Sequence, residues 1–121
     1  MAEYKQYITQ VLENGNVMIS EDVIAAIIEE TVSEIEGIEG LAVKSVSEFA
    51  DLIGRNWGKG MKISIDESNA VNIDCNVLVK FGYSVIEVAK NAQQAVAAAV
   101  ENAAGVTVKE VNINICGIVR A

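Results

Sequence analysis

The sequence contains no histidine and no proline, only two cysteines, and few aromatic residues. Without histidine, no serine or cysteine has the imidazole that usually activates a nucleophile. The two thiols, Cys75 and Cys116, lie far apart with no CxxC spacing. A structural zinc site takes four ligands, usually thiolate or imidazole, so one such chain cannot assemble it. The missing proline carries no functional message. Basic residues are scarce, nine against seventeen acidic, for a formal net charge of −8. Such a surface repels phosphate backbones, and Arg55, Lys59 and Lys62 make only a thin basic patch. Nucleic acid and anionic lipid are therefore not expected as direct partners. No apolar run approaches the roughly 18 residues of a membrane span. The greasiest stretch, 92–100, is broken by Gln93 and Gln94. The opening Met1-Ala2-Glu3-Tyr4-Lys5 has no apolar signal-peptide core. A cytoplasmic location with reduced thiols and no direct membrane insertion is expected.

What is present points to a packed core. Apolar residues make up 51% and charged residues 21%, enough to fold one domain. Residues 1–13 read as an N-terminal lead-in and 14–121 as that domain. In the lead-in, Tyr4, Tyr7, Ile8, Val11 and Leu12 recur at helical spacing, so a short or frayed helix is expected. Asn14-Gly15-Asn16 signals a turn, and Val17 to Ile19 a short extended stretch. Ser20 is placed to cap a helix whose first turn carries Glu21 and Asp22. Val23, Ile24, Ile27, Ile28, Thr31, Val32 and Ile35 form its apolar stripe, and Gly37 and Gly40 stop it.

Residues 41–46 read as a strand, and 47–60 as a helical turn followed by a glycine-rich loop. Met61, Ile63 and Ile65 alternate with polar residues, as do Val71, Ile73, Cys75, Val77 and Val79. Period two with one polar face marks strands half in the core. The short link 67–70, with Asn69 tolerant of left-handed backbone, makes them an antiparallel hairpin. Ser84 and Glu87 fit a capping box. The helix after them buries Val85, Val88, Ala89, Ala92, Val96, Ala99, Val100 and Ala103, and Gly105 ends it. In the last segment Val106 and Val108 are in one phase, Val111, Ile113 and Ile115 in the other. A flat strand cannot bury both sets, so a β-bulge near Lys109-Glu110 is expected. The result is an α+β fold in two layers. A small mixed sheet, an antiparallel three-strand meander plus a C-terminal strand, carries two main helices packed on one face.

The sequence offers little catalytic chemistry. Glu29 with Glu30 and Asp66 with Glu67 are adjacent acids of the kind found on solvated surfaces. Asn72, Asp74 and Asn76 point the same way from one strand, about 7 Å apart. They form a solvent-facing polar surface, and they have the means to bind a cation or line a partner groove. Asn112 and Asn114, with Cys116, lie opposite Ile113 and could belong to the same kind of surface. The loop 54–60 combines glycines with Arg55 and Lys59 and could cradle an anion, but it lacks the GK[ST] ending of a phosphate loop. Trp57 within it either folds back on the core or anchors an interface. No residue stands out as catalytic, cofactor-binding or metal-binding.

Five stretches in order resemble a known family. They are Asn14-Gly15-Asn16-Val17-Met18-Ile19-Ser20-Glu21-Asp22-Val23-Ile24-Ala25, the helix exit Glu34-Ile35-Glu36-Gly37-Ile38, and Lys59 to Ile63 with Val71 to Asp74. Phe81-Gly82-Tyr83-Ser84-Val85-Ile86-Glu87-Val88-Ala89 and Gly105 to Ile113 complete them. Together they resemble the alkaline-shock or general-stress protein family of Gram-positive and related bacteria, over about residues 14–119. The resemblance implies cytoplasmic, non-enzymatic proteins linked to cell-envelope stress, some tethered through an integral-membrane partner. No catalytic motif comes with it, and this chain lacks the long charged tails of some members. The expected function is a protein-interaction or scaffold module without a cofactor. It self-associates as a homo-oligomer or docks on a membrane-anchored partner, so that it is peripheral to the membrane through that partner. Its candidate surface is Arg55, Trp57, Lys59, Asn72, Asp74, Asn76, Asn112 and Asn114. The alternative is a small-ligand or anion-binding domain using the Gly54–Gly60 loop.

Overall fold

The computed structural model describes residues 6–42 and 60–120. Their elements run β1 (Tyr7–Leu12), β2 (Gly15–Ser20), α1 (Glu21–Ser33), β3 (Ile38–Leu41), β4 (Met61–Ile65), β5 (Ala70–Lys80), α2 (Val85–Ala104) and β6 (Thr107–Val119). β5 is the spine of a mixed four-stranded sheet. β4 pairs antiparallel with its first half, from Met61↔Cys75 to Ile65↔Val71. β3 pairs antiparallel with its second half, from Ile38↔Val79 to Leu41↔Val77. The two short strands thus lie end to end along one edge of β5, rather than following each other across the sheet. They meet at Asn76, whose carbonyl accepts from the Ala42 N–H and whose N–H donates to the Gly60 carbonyl, both at 2.7 Å. β6 runs parallel along the other edge.

The expected bulge is present. Val71 aligns with Val108 and Asn72 with Glu110, so Lys109 is the extra residue. Skipping it lets Val108 and Val111 face the same way. A second skip at Cys116, between Val77↔Ile115 and Leu78↔Gly117, has no comparable signal in the sequence.

The core lies between the sheet and both helices. Met61, Ile63, Val71, Ile73, Cys75, Val77 and Val79 all face it and are buried. Each such aliphatic side chain contributes about 1.5–3 kcal/mol. α2 presents Val88, Ala92, Val96, Val100 and Ala104, a ridge of residues four apart, with small alanines allowing close approach. Ser84 Oγ accepts from the Glu87 N–H at 3.4 Å, and Gly105 ends the helix at φ 67°. Ala103, expected inside, is exposed, because the four-residue ridge reaches Ala104 instead. In α1 the buried ridge is Ile24, Ile28 and Val32, with Ala25 beside it, while Val23 falls off the stripe and is exposed.

The N-terminal segment is a strand, which corrects the helical expectation. β1 and β2 form an antiparallel hairpin from Tyr7↔Ser20 to Leu12↔Gly15. Ile8 is fully buried and secures the hairpin to the core. Ser20 makes no side-chain cap bond. Gln6 takes over there: its carbonyl accepts from the Glu21 N–H, and Glu21 Oε1 accepts from the Gln6 N–H. The Gln6 amide also seals the edge of β4, donating to the Ile63 carbonyl at 2.7 Å and accepting from the Ile65 N–H at 3.0 Å. Gln10 donates to the Gly105 carbonyl and Asn69 to the Thr9 carbonyl. Asn69 has φ 65°, as the turn requires.

Candidate functional site

The two helices cover one face of the sheet. On the other face, β5 presents Asn72, Asp74 and Asn76, and β6 presents Glu110, Asn112 and Asn114. The parallel register sets Asn72 beside Glu110, Asp74 beside Asn112, and Asn76 beside Asn114. Two of these rows are bonded. Asn112 Nδ2 donates to Asp74 Oδ1 at 2.8 Å, and Asn114 Nδ2 donates to Asn76 Oδ1 at 3.0 Å. Asn112 Nδ2 also lies 3.3 Å from Glu110 Oε2. On the far side of β5, Lys62 and Ser64 of β4 extend the rows of Asp74 and Asn72. Asn76 is buried at 8% exposure, whereas Asn112 and Asn114 are exposed.

Five of the eight residues expected to form the surface are therefore brought together. Arg55, Trp57 and Lys59, with the loop 54–60 that carried the anion-binding alternative, lie outside the described residues. Glu110 joins the cluster without having been singled out from sequence, and so does Lys62, which the sequence marked only as part of a thin basic patch. For Glu110 the available signal is the phase change at Lys109, which puts its side chain in step with Asn112.

The reactive groups near this face are disarmed by their surroundings. Asp74 is held by the Asn112 amide. Cys75 points through the sheet into the core. Burial there, with a smaller push from the Asp74 charge, raises its thiol to about 12, so it stays protonated at neutral pH. Asp66 is a turn residue rather than half of an acid pair. Its Oδ1 accepts from the Ser68 hydroxyl and from the Ser68 and Ala70 N–H groups. The Ser68 hydroxyl and the Ala70 N–H hold its carboxyl below the usual aspartate range. Among the described residues, no group of three or more His, Cys, Asp or Glu side chains is placed to hold a metal ion. None of their helices is long and apolar enough to cross a membrane.

The comparison with known proteins is decided by a family model of cell envelope-related function that matches residues 9–120. The chain belongs to the alkaline shock protein 23 family. Relatives within reach of this family match include YqhY of Bacillus subtilis (strain 168). It is 30% identical over 105 residues, 86% of this chain and 77% of the relative. Spy1614 of Streptococcus pyogenes serotype M6 is 29% identical over 109 residues, 88% of this chain and 89% of the relative. Both carry names that assign no enzymatic activity. The solved structures of two MamM CTD variants share the fold, each with a TM-score of 0.50 at 13% identity. They match 80% of this chain and 94% or 96% of their own length.

Proposed function

We propose that this member of the alkaline shock protein family is a non-enzymatic interaction module of the cytoplasm. It serves the cell envelope by docking on a protein partner anchored in the membrane. The observation that carries this reading is the bonded ladder Asp74–Asn112 and Asn76–Asn114 on the sheet face away from α1 and α2. Side chains already held in one geometry lose little rotamer freedom when a partner lands on them. The ladder is a flat set of amide and carboxylate groups, suited to hydrogen bonding with another surface and not to enclosing a small substrate. The charge of −8 favours a partner with a basic face and steers its approach.

Replacing both ladder donors, Asn112→Ala with Asn114→Ala, tests the proposal. Asn112→Ala removes an exposed hydrogen bond at about 1 kcal/mol. Asn114→Ala removes a part-buried one at about 1–3 kcal/mol, because Asn76 keeps a buried amide oxygen. Both changed side chains are exposed, and the folded state of the variant is checked by its circular dichroism spectrum. Tagged wild-type and variant protein are compared for membrane-protein capture after crosslinking in the native cell. Loss of captured partners in the folded variant is the expected result. Capture that is undiminished by the double change sinks this placement of the docking face.

A further inference from the structure

We infer that the outer edge of β2 takes an extended segment of another protein, apolar at its centre and basic at its flanks, as a third strand of the β1–β2 ribbon. The inference goes beyond the amide ladder: it names a second surface and the kind of peptide that fits it. The pairing of the ribbon shows which backbone groups are turned outward. The Glu21 N–H donates to the Gln6 carbonyl, and the register then runs unbroken from Tyr7↔Ser20 to Leu12↔Gly15. Alternation makes Ile8–Ile19 and Gln10–Val17 the bonded pairs, and it turns the groups of Thr9, Asn16 and Met18 away from the ribbon. Thr9 agrees, since its carbonyl accepts from Asn69 Nδ2 at 3.2 Å. The outer edge of β1 therefore faces the domain. On the outer edge of β2, no described residue bonds to the N–H or C=O of Asn16 or Met18.

The side chains along this edge are apolar and open to solvent. Met18 is 60% exposed, with Val11 and Tyr7 exposed on the same face, and Val17 is 44% exposed on the other. β2 holds no charge and no proline, although natural proteins commonly guard a free edge with one or the other. Charge decides which segment fits. Residues 6–42 hold eight of the seventeen acidic residues and none of the nine basic ones. The whole formal net charge of −8 therefore belongs to this part of the chain, and the remainder is balanced, nine against nine. Glu13 stands on the turn of the ribbon itself. A strand laid along β2 thus meets apolar side chains within an acidic field. Lysine or arginine on its flanks complements that field, and aspartate or glutamate is repelled. A second copy would bring the same eight acids, and an anionic lipid surface the same sign of charge. Main-chain bonds to Asn16 and Met18 supply attachment, as in strand addition to an open edge.

The probe is a fluorescent synthetic peptide of alternating valine and threonine, about six residues long as a typical strand is, with lysines at both ends. A control peptide carries glutamates there instead. Binding to the full chain is read by fluorescence anisotropy, and amide hydrogen exchange is followed by NMR. The lysine-flanked peptide is expected to bind at least about tenfold more tightly than the control and to slow exchange at the Asn16 and Met18 amides. Met18→Pro removes an outward N–H where a free edge tolerates proline, and it should weaken binding at least about tenfold with an unchanged circular dichroism spectrum. Should that variant unfold, Met18→Lys, which adds a repelling charge at an exposed position, is expected to give the same loss. No binding at millimolar peptide, equal affinity for both peptides, unprotected Asn16 and Met18 amides, or indifference to Met18→Lys overturns the inference. So does protection of those amides by lipid vesicles alone or by raised protein concentration alone, which would give the edge to lipid or to a second copy. Membrane-protein capture that depends on Asn112 and Asn114 in a chain that ignores the peptide leaves the docking proposal standing. Peptide binding on β2 in a chain that captures no membrane partner refutes the docking proposal alone.

Discussion

Raising the pH should unfold this protein partly through one buried thiol. Cys75 is fully buried at the centre of β5, where burial raises its thiol from an ordinary value of 9.0 to about 12. Between those values the unfolded chain has lost the proton while the folded chain keeps it. The folded state therefore binds more protons, and stability falls as pH rises through that window. Each unit of difference is worth about 1.36 kcal/mol, so the loss at pH 10.5 is about 2 kcal/mol and approaches about 4 kcal/mol near pH 12. Tyrosine and lysine titrations overlap this range, so the thiol is isolated by comparison with Cys75→Ala. That variant pays a pH-independent packing cost, on the order of 1–3 kcal/mol. The assay is urea unfolding of both proteins at pH 7.5, 9 and 10.5, under reducing conditions. The stability gap between them should narrow by about 2 kcal/mol from pH 7.5 to 10.5. A constant gap would show that the thiol is not desolvated in the fold. Rapid labelling of Cys75 in native protein at neutral pH would carry the same message and reopen thiol chemistry.

Two further predictions concern how the chain is shaped. Gly37 has φ 96°, and a Cβ there would lie 2.8 Å from Val88 Cγ2 and 3.0 Å from Tyr83 Cδ2. Gly37→Ala combines left-handed strain with overpacking and should cost about 2–4 kcal/mol in chemical denaturation; a change below about 0.5 kcal/mol would contradict this packing. Deleting Lys109 should leave the fold intact, shifting stability by about 0.5 kcal/mol or less, because its loss turns the bulge into regular strand. Deleting Asn112 from the regular part should instead throw Ile113 and Ile115 onto the wet face, at a cost of about 3 kcal/mol or more. The two deletions are compared by their urea midpoints, and equal losses would refute the bulge assignment.

Legibility in the sequence followed how many independent signals coincided. α2 has a capping serine, a terminal glycine and a periodic stripe, and all three agree with the structure. β4 and β5 are readable because strict alternation and Asn69 specify a hairpin together. The bulge at Lys109 followed from a conflict of phase that only an extra residue resolves. β1 was misread because Tyr7, Ile8, Val11 and Leu12 satisfy a helical period by coincidence. The competing signal was Asn14-Gly15, a strong hairpin dipeptide, followed by the strand that pairs with it. Apolar residues occupy both faces of this two-stranded ribbon, with Val11 and Met18 still exposed at 79% and 60%, so alternation was masked. The placement of β3 end to end with β4 along one edge of β5 was not legible, since pairing between short strands distant in the chain leaves no local trace. Of the candidate surface, Asn72, Asp74 and Asn76 followed from strand periodicity. Their junction with Asn112 and Asn114 required the register of a parallel pair.

That register also bears on the proposal of recognition rather than catalysis. Asp74 and Cys75 are neighbours in sequence, yet alternation sends one to the wet face and the other into the core. The carboxylate thus lies outside the core, held by the Asn112 amide, and the thiol lacks both a base and access. Bringing them together would need a cleft between the layers, where Ile24, Ile28, Val96 and Val100 are packed instead. What the sheet does build is order on its open face, and a single residue governs it. Without the skip at Lys109, Val111 would sit beside Asp74 and Asn112 beside Cys75, exposing an apolar side chain and burying an amide. With the skip, Val111 joins Ile73 in the core while Asn112 and Asn114 align with Asp74 and Asn76. A sound core and the amide ladder therefore depend on the same backbone irregularity. A partner that reads this face would consequently be sensitive to strand register as well as to the asparagines themselves.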